Sequence, residues 1–247
     1  MSTNHTSADH TNNTRREKLR ISDLHAFYGE SHILHGIDLS IGQGELVTLL
    51  GRNGAGRSTT LKAIMNMVGR RSGSIVINGT ETINMAAHKI AHLGMGFCPE
   101  ERGIFSSLNV EENLMLPPAV RSDGVSVDEI YEMFPNLYER RFSQGTRLSG
   151  GEQQMLALAR ILRTGANILL LDEITEGLAP VIVQKLAEVL MQLKARGLTI
   201  LLVEQNFRFA APIADRHYVM EHGHIVEEVH AHELIEKTEL LNTYLGV

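Results

Sequence analysis

The 247-residue chain holds one cysteine, Cys98. Without a second thiol no internal disulfide can form, which fits a reducing compartment. It also lacks any apolar run approaching the roughly 18–20 residues that a membrane helix needs. The longest run, Ile168 to Leu171 with its neighbours, has the length of a buried strand. The opening stretch "MSTNHTSADHTNNTRREKLR" has no apolar block, so a secretory signal is not expected. A basic excess is missing too. The net charge is −6, and no nucleic-acid partner is expected. Histidine is plentiful, with twelve in the chain and five in the first 35 residues. Residues 1–17 read as a disordered polar tail rather than a metal site. His222-Gly223-His224, between "YVME" and "HIVEE", reads as a hairpin turn with no ligand role.

What is present suffices for a real core. The composition is 43% hydrophobic, enough for one generous domain or a domain with a subdomain. "LRISDLHAFYG" and "ILHGIDLSIGQGELVTLLG" read as strands. "STTLKAIMNMV" places Leu61, Ile64, Met65 and Val68 at helical spacing. "SGSIVING", "LGMGFCPE", "NILLLDE" and "LTILLVEQN" read as further strands, the last two nearly all apolar. Between about 104 and 147 the pattern turns helical and is broken by Pro117, Pro118 and Pro135. "SGGEQQMLALARILR" reads as a long helix. "PVIVQKLAEVLMQLKARG" is another, with Ile182, Leu186, Val189, Leu190 and Leu193 on one face. Strands that alternate with helices and are apolar throughout predict a parallel sheet covered on both faces.

One absence is more pointed. "GRNGAGRST", Gly51 to Thr59, follows the phosphate-loop pattern G-x-x-x-x-G-K-[ST] except that Arg57 stands where lysine is expected. The stretch lies between a predicted strand and a predicted helix, as such a loop requires. Its glycines let the backbone wrap a phosphate, and its N–H groups face an anion at the helix N-terminus. Ser58 is the candidate Mg²⁺ ligand, and Thr59 falls near the α-phosphate. A second element ends the strand "ILLLDE" in Asp172 and Glu173. At the carboxyl end of a buried parallel strand, Asp172 can join the Mg²⁺ shell. Glu173 can take a proton from an attacking water.

The third element, "LSGGEQQ" from Leu148 to Gln154, lies upstream of that Asp-Glu strand. Ser149, Gly150, Gly151 and Glu152 open a helix and offer a second anion-binding N-terminus. With it the chain resembles an ABC ATPase, the nucleotide-binding subunit of an ABC transporter, over residues 18–247. The resemblance implies a mostly parallel P-loop NTPase-type α/β sheet. An N-terminal antiparallel β subdomain and a helical subdomain at about 100–163 complete it, all in one domain. It implies ATP and Mg²⁺ as ligands, with Gly51, Arg52, Asn53, Gly54, Ala55, Gly56, Arg57, Ser58 and Thr59 around the phosphates. Tyr28 matches the aromatic residue that stacks on adenine. Glu100 of "CPE" stands where the family usually has glutamine, facing the metal. Gln205 of "LLVEQN" stands where histidine is usual. Ser149–Glu152 would contact the γ-phosphate held by an opposite cassette, so a second ATPase subunit is implied, a related cassette or a copy of this chain.

"PE", "GLAP", "VEQN" and the closing "YLGV" are similar to one of the two ATPase subunits of branched-chain amino acid importers. That resemblance implies ATP hydrolysis energising uptake, at the cytoplasmic face of the inner or plasma membrane. It also implies transmembrane permease subunits as partners and, indirectly, a substrate-binding protein. Two alternatives stay open. One is a urea or short-amide importer. The other is a non-hydrolysing subunit that completes its partner's site, a reading motivated by Arg57. Phe105, Leu108 and Leu114–Leu116 are candidates for the permease contact, or else form the insertion's own small core.

Overall fold

The computed structural model describes residues 16–246. The expected tail therefore lies outside the described residues except at its end, where Glu17 already begins a strand. β1 (Glu17–Tyr28) and β2 (Ser31–Gly42) form an antiparallel pair. β4 (Arg70–Ile77) pairs with the other edge of β1, and the two-residue β5 (Thr80–Glu81) extends the sheet, giving the order β2-β1-β4-β5. Alternation sets its inner face, but not in one phase. Leu19 and Ile21 are buried, then Leu24 and Ala26, because the register shifts between Ile21 and Leu24. Such a bulge moves the side chains that follow onto the other parity.

The second sheet has six strands in the order β10-β9-β3-β8-β7-β6. These are β3 (Leu46–Leu50), β6 (Met95–Cys98), β7 (Ile168–Asp172), β8 (Thr199–Glu204), β9 (Arg216–Glu221) and β10 (His224–His230). The five from β9 to β6 run parallel, and β10 is the antiparallel edge. His222 and Gly223 join β9 to β10 with both φ values positive, 46° and 78°. A two-residue turn of this hand suits the strand twist.

Every residue of β3, β7 and β8 is buried. Their side chains divide between two cores. Leu170, Leu201 and Val203 face the core shared with the antiparallel sheet and α1 (Arg57–Ile64). Leu169, Leu171, Ile200 and Leu202 face the other side, against α6 (Gly150–Arg163) and α7 (Pro180–Ala195). This explains the apolar strands: with both faces covered, neither parity can be polar. On α7, Leu186, Val189, Leu190 and Leu193 are fully buried, and Ile182 packs partly buried beside them. α1 is shorter than its apolar spacing suggests. It stops at Ile64, and Asn66 takes a left-handed φ of 54° just beyond.

α2 (Ala87–Ala91) precedes β6. Between β6 and β7 lie α3 (Val110–Met115), α4 (Val127–Met133), α5 (Pro135–Glu139) and α6. Pro135 sits in the first turn of α5, where its missing N–H costs nothing. Leu114, Ile130, Phe134 and Leu137 pack inward against α6, while Phe105, Met115 and Leu116 stay exposed. After β8 come α8 (Phe207–Ala210) and, at the end, α9 (Leu234–Leu245). Leu241 of α9 packs on Val219 and Val229, with Phe207 and Tyr244 alongside. No helix among the described residues is long and apolar enough to cross a membrane.

Candidate active site

Four neighbouring parallel strands end on one side of the large sheet, and each delivers part of the site. β3 runs into the Gly51–Thr59 loop and β6 into Glu100. β7 ends at Asp172 and is followed by Glu173. β8 ends at Glu204 and is followed by Gln205. Ligands of such sheets gather outside the strand carboxyl ends. Here a cleft of about 510 Å³ lies there, lined by Asn53 through Thr59, Glu100, Glu173, Glu176 and Ile33.

The loop is held by its own bonds and by a neighbour. Ala55 N–H donates to the Arg52 carbonyl at 3.1 Å, and Gly223 N–H of the β9–β10 turn donates to the Ala55 carbonyl at 2.8 Å. Gly56 adopts φ 107°, a left-handed conformation that a side chain would strain, and so turns the chain into α1. The first turn of a helix leaves its N–H groups without intrahelical partners. Those of α1 open onto the cleft, a site for phosphate oxygens.

Ser58 Oγ donates to Asp172 Oδ1 at 2.9 Å, so the candidate Mg²⁺ ligands from two elements stand together. Burial pushes the Asp172 carboxyl up to about 6, the Ser58 hydrogen bond opposes this, and the charge of Glu173 adds to it. The Ser58 hydroxyl and the Asp172 carboxylate are the oxygen donors a hard cation takes, and they fit one held between them. Glu176, not anticipated from the sequence, is raised by its hydrogen bond with Glu173 first, then by that residue's charge. Glu204 is buried and pushed up to about 7 by desolvation, although Thr175 Oγ1 donates to it at 2.9 and 3.0 Å.

Arg57 lines the cleft, but its guanidinium is turned onto protein acceptors. Its side chain is 4% exposed. Nη1 donates to the Glu204 carbonyl at 2.9 Å. Nη2 donates to Glu173 Oε1 at 2.5 Å and to Asn53 Oδ1 at 3.3 Å. Gln205 Nε2 completes the cluster, donating to Asn53 Oδ1 at 2.5 Å and lying 3.3 and 3.2 Å from the two Glu173 oxygens. Desolvation lowers Arg57 from its ordinary value, opposed by the charges of Glu173, Asp172, Glu204 and Glu176. Glu173 itself has a φ of 46°, rare for a residue with a side chain.

The fold thus gathers Asn53, Gly54, Ala55, Gly56, Arg57, Ser58, Thr59, Glu100, Asp172, Glu173 and Gln205. Gly51 and Arg52 begin the loop without lining the cleft, and Tyr28, 42% exposed at the end of β1, stands outside it. Ser149, Gly150, Gly151 and Glu152 are also away from the cleft, at the start of α6. There Ser149 Oγ accepts from Glu152 N–H while Glu152 Oε2 accepts from Ser149 N–H at 2.7 Å. Ile182 of α7 packs on Gly151. Arg102, missed by the sequence reading, lies over Gly150 and donates to Gln153 Oε1 at 2.9 Å. No motif position marks it.

A phosphate loop, a Ser–Asp pair and a following glutamate at the ends of parallel strands define a nucleotide-hydrolysing ATPase of the phosphate-loop class. The sequence model of the family described as "ABC transporter" matches residues 34–176, and the chain belongs to that family. It is 39% identical to the high-affinity branched-chain amino acid transport ATP-binding protein BraG of Pseudomonas aeruginosa, over 92% of this chain and 99% of that one. Identity to the probable branched-chain amino acid transport ATP-binding protein LivF of Archaeoglobus fulgidus is 37%, over 93% and 99%. The lipopolysaccharide export system ATP-binding protein LptB of Haemophilus influenzae is 31% identical, over 92% and 97%. A nucleotide-free ATP-binding cassette from an ABC transporter superposes with a TM-score of 0.80 at 22% identity, over 94% and 99% of the two chains. An ATP-binding subunit of an ABC transporter gives 0.77 at 25%, over 93% and 100%. The chain is accordingly an ATP-binding, ATP-hydrolysing cassette. Cassettes of this family work as dimers with transmembrane permease subunits.

Proposed function

We propose that this cassette energises import of branched-chain or related amino acids, and that residues 18–247 act as one unit. The observation that carries the hydrolytic reading is the convergence of Ser58, Asp172, Glu173 and Gln205 on the Gly56 turn. The importer reading is supported by the names of BraG and LivF. Loop and α1 N–H groups bind the β- and γ-phosphates, and Tyr28 stacks on the adenine. Ser58 and Asp172 would hold Mg²⁺, with Glu100 nearby, and the ion would supply neutralisation of phosphate charge. Glu173 takes a proton from the attacking water as its oxygen bonds to the γ-phosphorus. The bond from that phosphorus to the ADP oxygen breaks, releasing ADP and phosphate. Gln205 orients the water.

Ser149–Glu152 lie outside this cleft, so they serve the nucleotide of the opposite cassette, a related subunit or a second copy. The helical part at about 100–163 passes closure to the permease at the cytoplasmic membrane face. The exposed Phe105, Met115 and Leu116 are its contact. The test is turnover of the purified chain, alone and with its partner cassette, beside Glu173→Gln. We expect the substitution to lower kcat by at least about 10²-fold, the lower range for a lost general base. Wild-type turnover equal to that of Glu173→Gln would overturn the reading. A second reading, nucleotide binding without turnover, is favoured by one observation: the Arg57–Glu173 pair engages the base. It predicts tight ATP binding with no release of phosphate from this chain's own site.

A further inference from the structure

Arg57 and Glu173 lie 116 residues apart, yet their side chains are 4% and 9% exposed and 2.5 Å from each other. Glu173 Oε1 accepts from Arg57 and Gln205, and Oε2 accepts from Gln205. Both oxygens of the base are in use. We propose that Arg57 is a positioning residue that holds Glu173 away from water until a nucleoside triphosphate draws the guanidinium off. This rests on the ATPase reading above and deepens it.

The two ends of the guanidinium do different things. Nη1 is anchored on the Glu204 carbonyl, while Nη2 serves Glu173 and Asn53. A lysine carries one point charge and cannot span those acceptors on two nitrogens. Arginine at this position therefore creates a clamp that lysine cannot copy. A buried guanidinium stripped of its partner is costly, so it exchanges partners rather than losing one. A γ-phosphate offers a stronger, two-pronged acceptor than a single carboxylate oxygen. As Nη2 turns to it, Glu173 is freed in the same movement. ADP has no γ-phosphate and leaves the clamp shut. Asn53, which accepts from both Arg57 and Gln205, ties the two donors together, so both are released as the loop closes on phosphate.

The test is a double-mutant cycle on the full chain: wild type, Arg57→Lys, Glu173→Gln and the double variant. Binding of Mg²⁺ with a non-hydrolysable triphosphate, AMP-PNP, is measured by calorimetry and compared with ADP. With Arg57 present, Glu173→Gln removes the competitor for the guanidinium. AMP-PNP affinity is then expected to rise about tenfold, some 1.4 kcal/mol, and ADP affinity less than about twofold. In the Arg57→Lys background the AMP-PNP gain shrinks to about the ADP level. The nucleotide-free thermal midpoint is expected to fall in Glu173→Gln and to recover once AMP-PNP is bound. An equal AMP-PNP gain in both backgrounds reports plain charge repulsion and overturns the clamp. If neither AMP-PNP nor ADP binds any of the four proteins, the ATPase reading itself falls. Should Arg57→Lys fail to fold, Arg57→Met keeps the stem without the fork and closes the same cycle.

Discussion

Glu204 and His217 show what single buried groups do to this protein's pH response. Glu204 is 2% exposed and its carboxyl is pushed from 4.5 to about 7 by burial. The folded state then holds a proton that the unfolded state has released, so this stabilisation is present below pH 4.5 and is lost as pH rises toward 7. His217 is fully buried, and desolvation lowers it from 6.5 to about 4. Its Nδ1 meets Thr48 Oγ1 at 2.6 Å, and Nε2 has no hydrogen-bond partner among the described residues. Its stabilisation is present above pH 6.5 and is lost as pH falls toward 4. The two trends oppose each other between pH 4.5 and 6.5. Glu204→Gln keeps an acceptor for Thr175 and removes one of them. We expect urea midpoints of this variant to rise relative to wild type above pH 7, and its acid side to fall more steeply. At about 1.4 kcal/mol per pKa unit, each effect is on the order of 3 kcal/mol. A pH profile parallel to wild type would refute the assignment.

Among the elements, a serine-led capping box starts two helices, and an asparagine-led one, Asn109 with Glu112, starts α3. Ser126 begins α4 and Ser149 begins α6, each in a capping box with a glutamate three residues on. Ser126→Ala and Ser149→Ala should each cost about 1 kcal/mol, or about 2–4 °C in Tm. Only Ser149→Ala is expected to lower ATP turnover, because the proposed function assigns Ser149 to the nucleotide of the opposite cassette. Equal loss of turnover in both would reduce Ser149 to a cap. The long elements were readable from pattern. α6 and α7 carry apolar residues at helical spacing, and β7 and β8 are apolar throughout. The short ones, α2, α8 and β5, gave no period to read at two to five residues. α9 was missed too, its apolar residues spaced among Glu236, Lys237 and Glu239.

For the whole molecule, the cleft and the Ser149–Glu152 motif occupy different places, and the proposed function makes one chain half of a catalytic unit. Turnover per chain is expected to rise with chain concentration, or on adding the partner cassette. It should fall when wild type is mixed with excess Glu173→Gln chain that pairs but cannot hydrolyse. Concentration-independent turnover per chain, measured over a hundredfold range, would argue that each chain works alone. The same layout explains why both sheet faces are covered. The antiparallel sheet with α1 closes one side, and α6 with α7 closes the other.

The loop with its missing lysine, the Asp172–Glu173 strand end and the Leu148–Gln154 motif were legible in the sequence, because each is a local pattern whose neighbours in the chain are its neighbours in space. So was the parallel sheet, since burial on two faces forces apolar residues at both parities. Only the tertiary structure decided where Arg57 points. Its partners Glu173 and the Glu204 carbonyl come from two other strand ends, and nothing near position 57 encodes that meeting. Likewise only the fold put Glu176 beside Glu173, Arg102 over Gly150, and the bulge that reverses the inward parity of β1. Charges and hydrogen bonds act over ångströms in space, and the chain order does not record those distances.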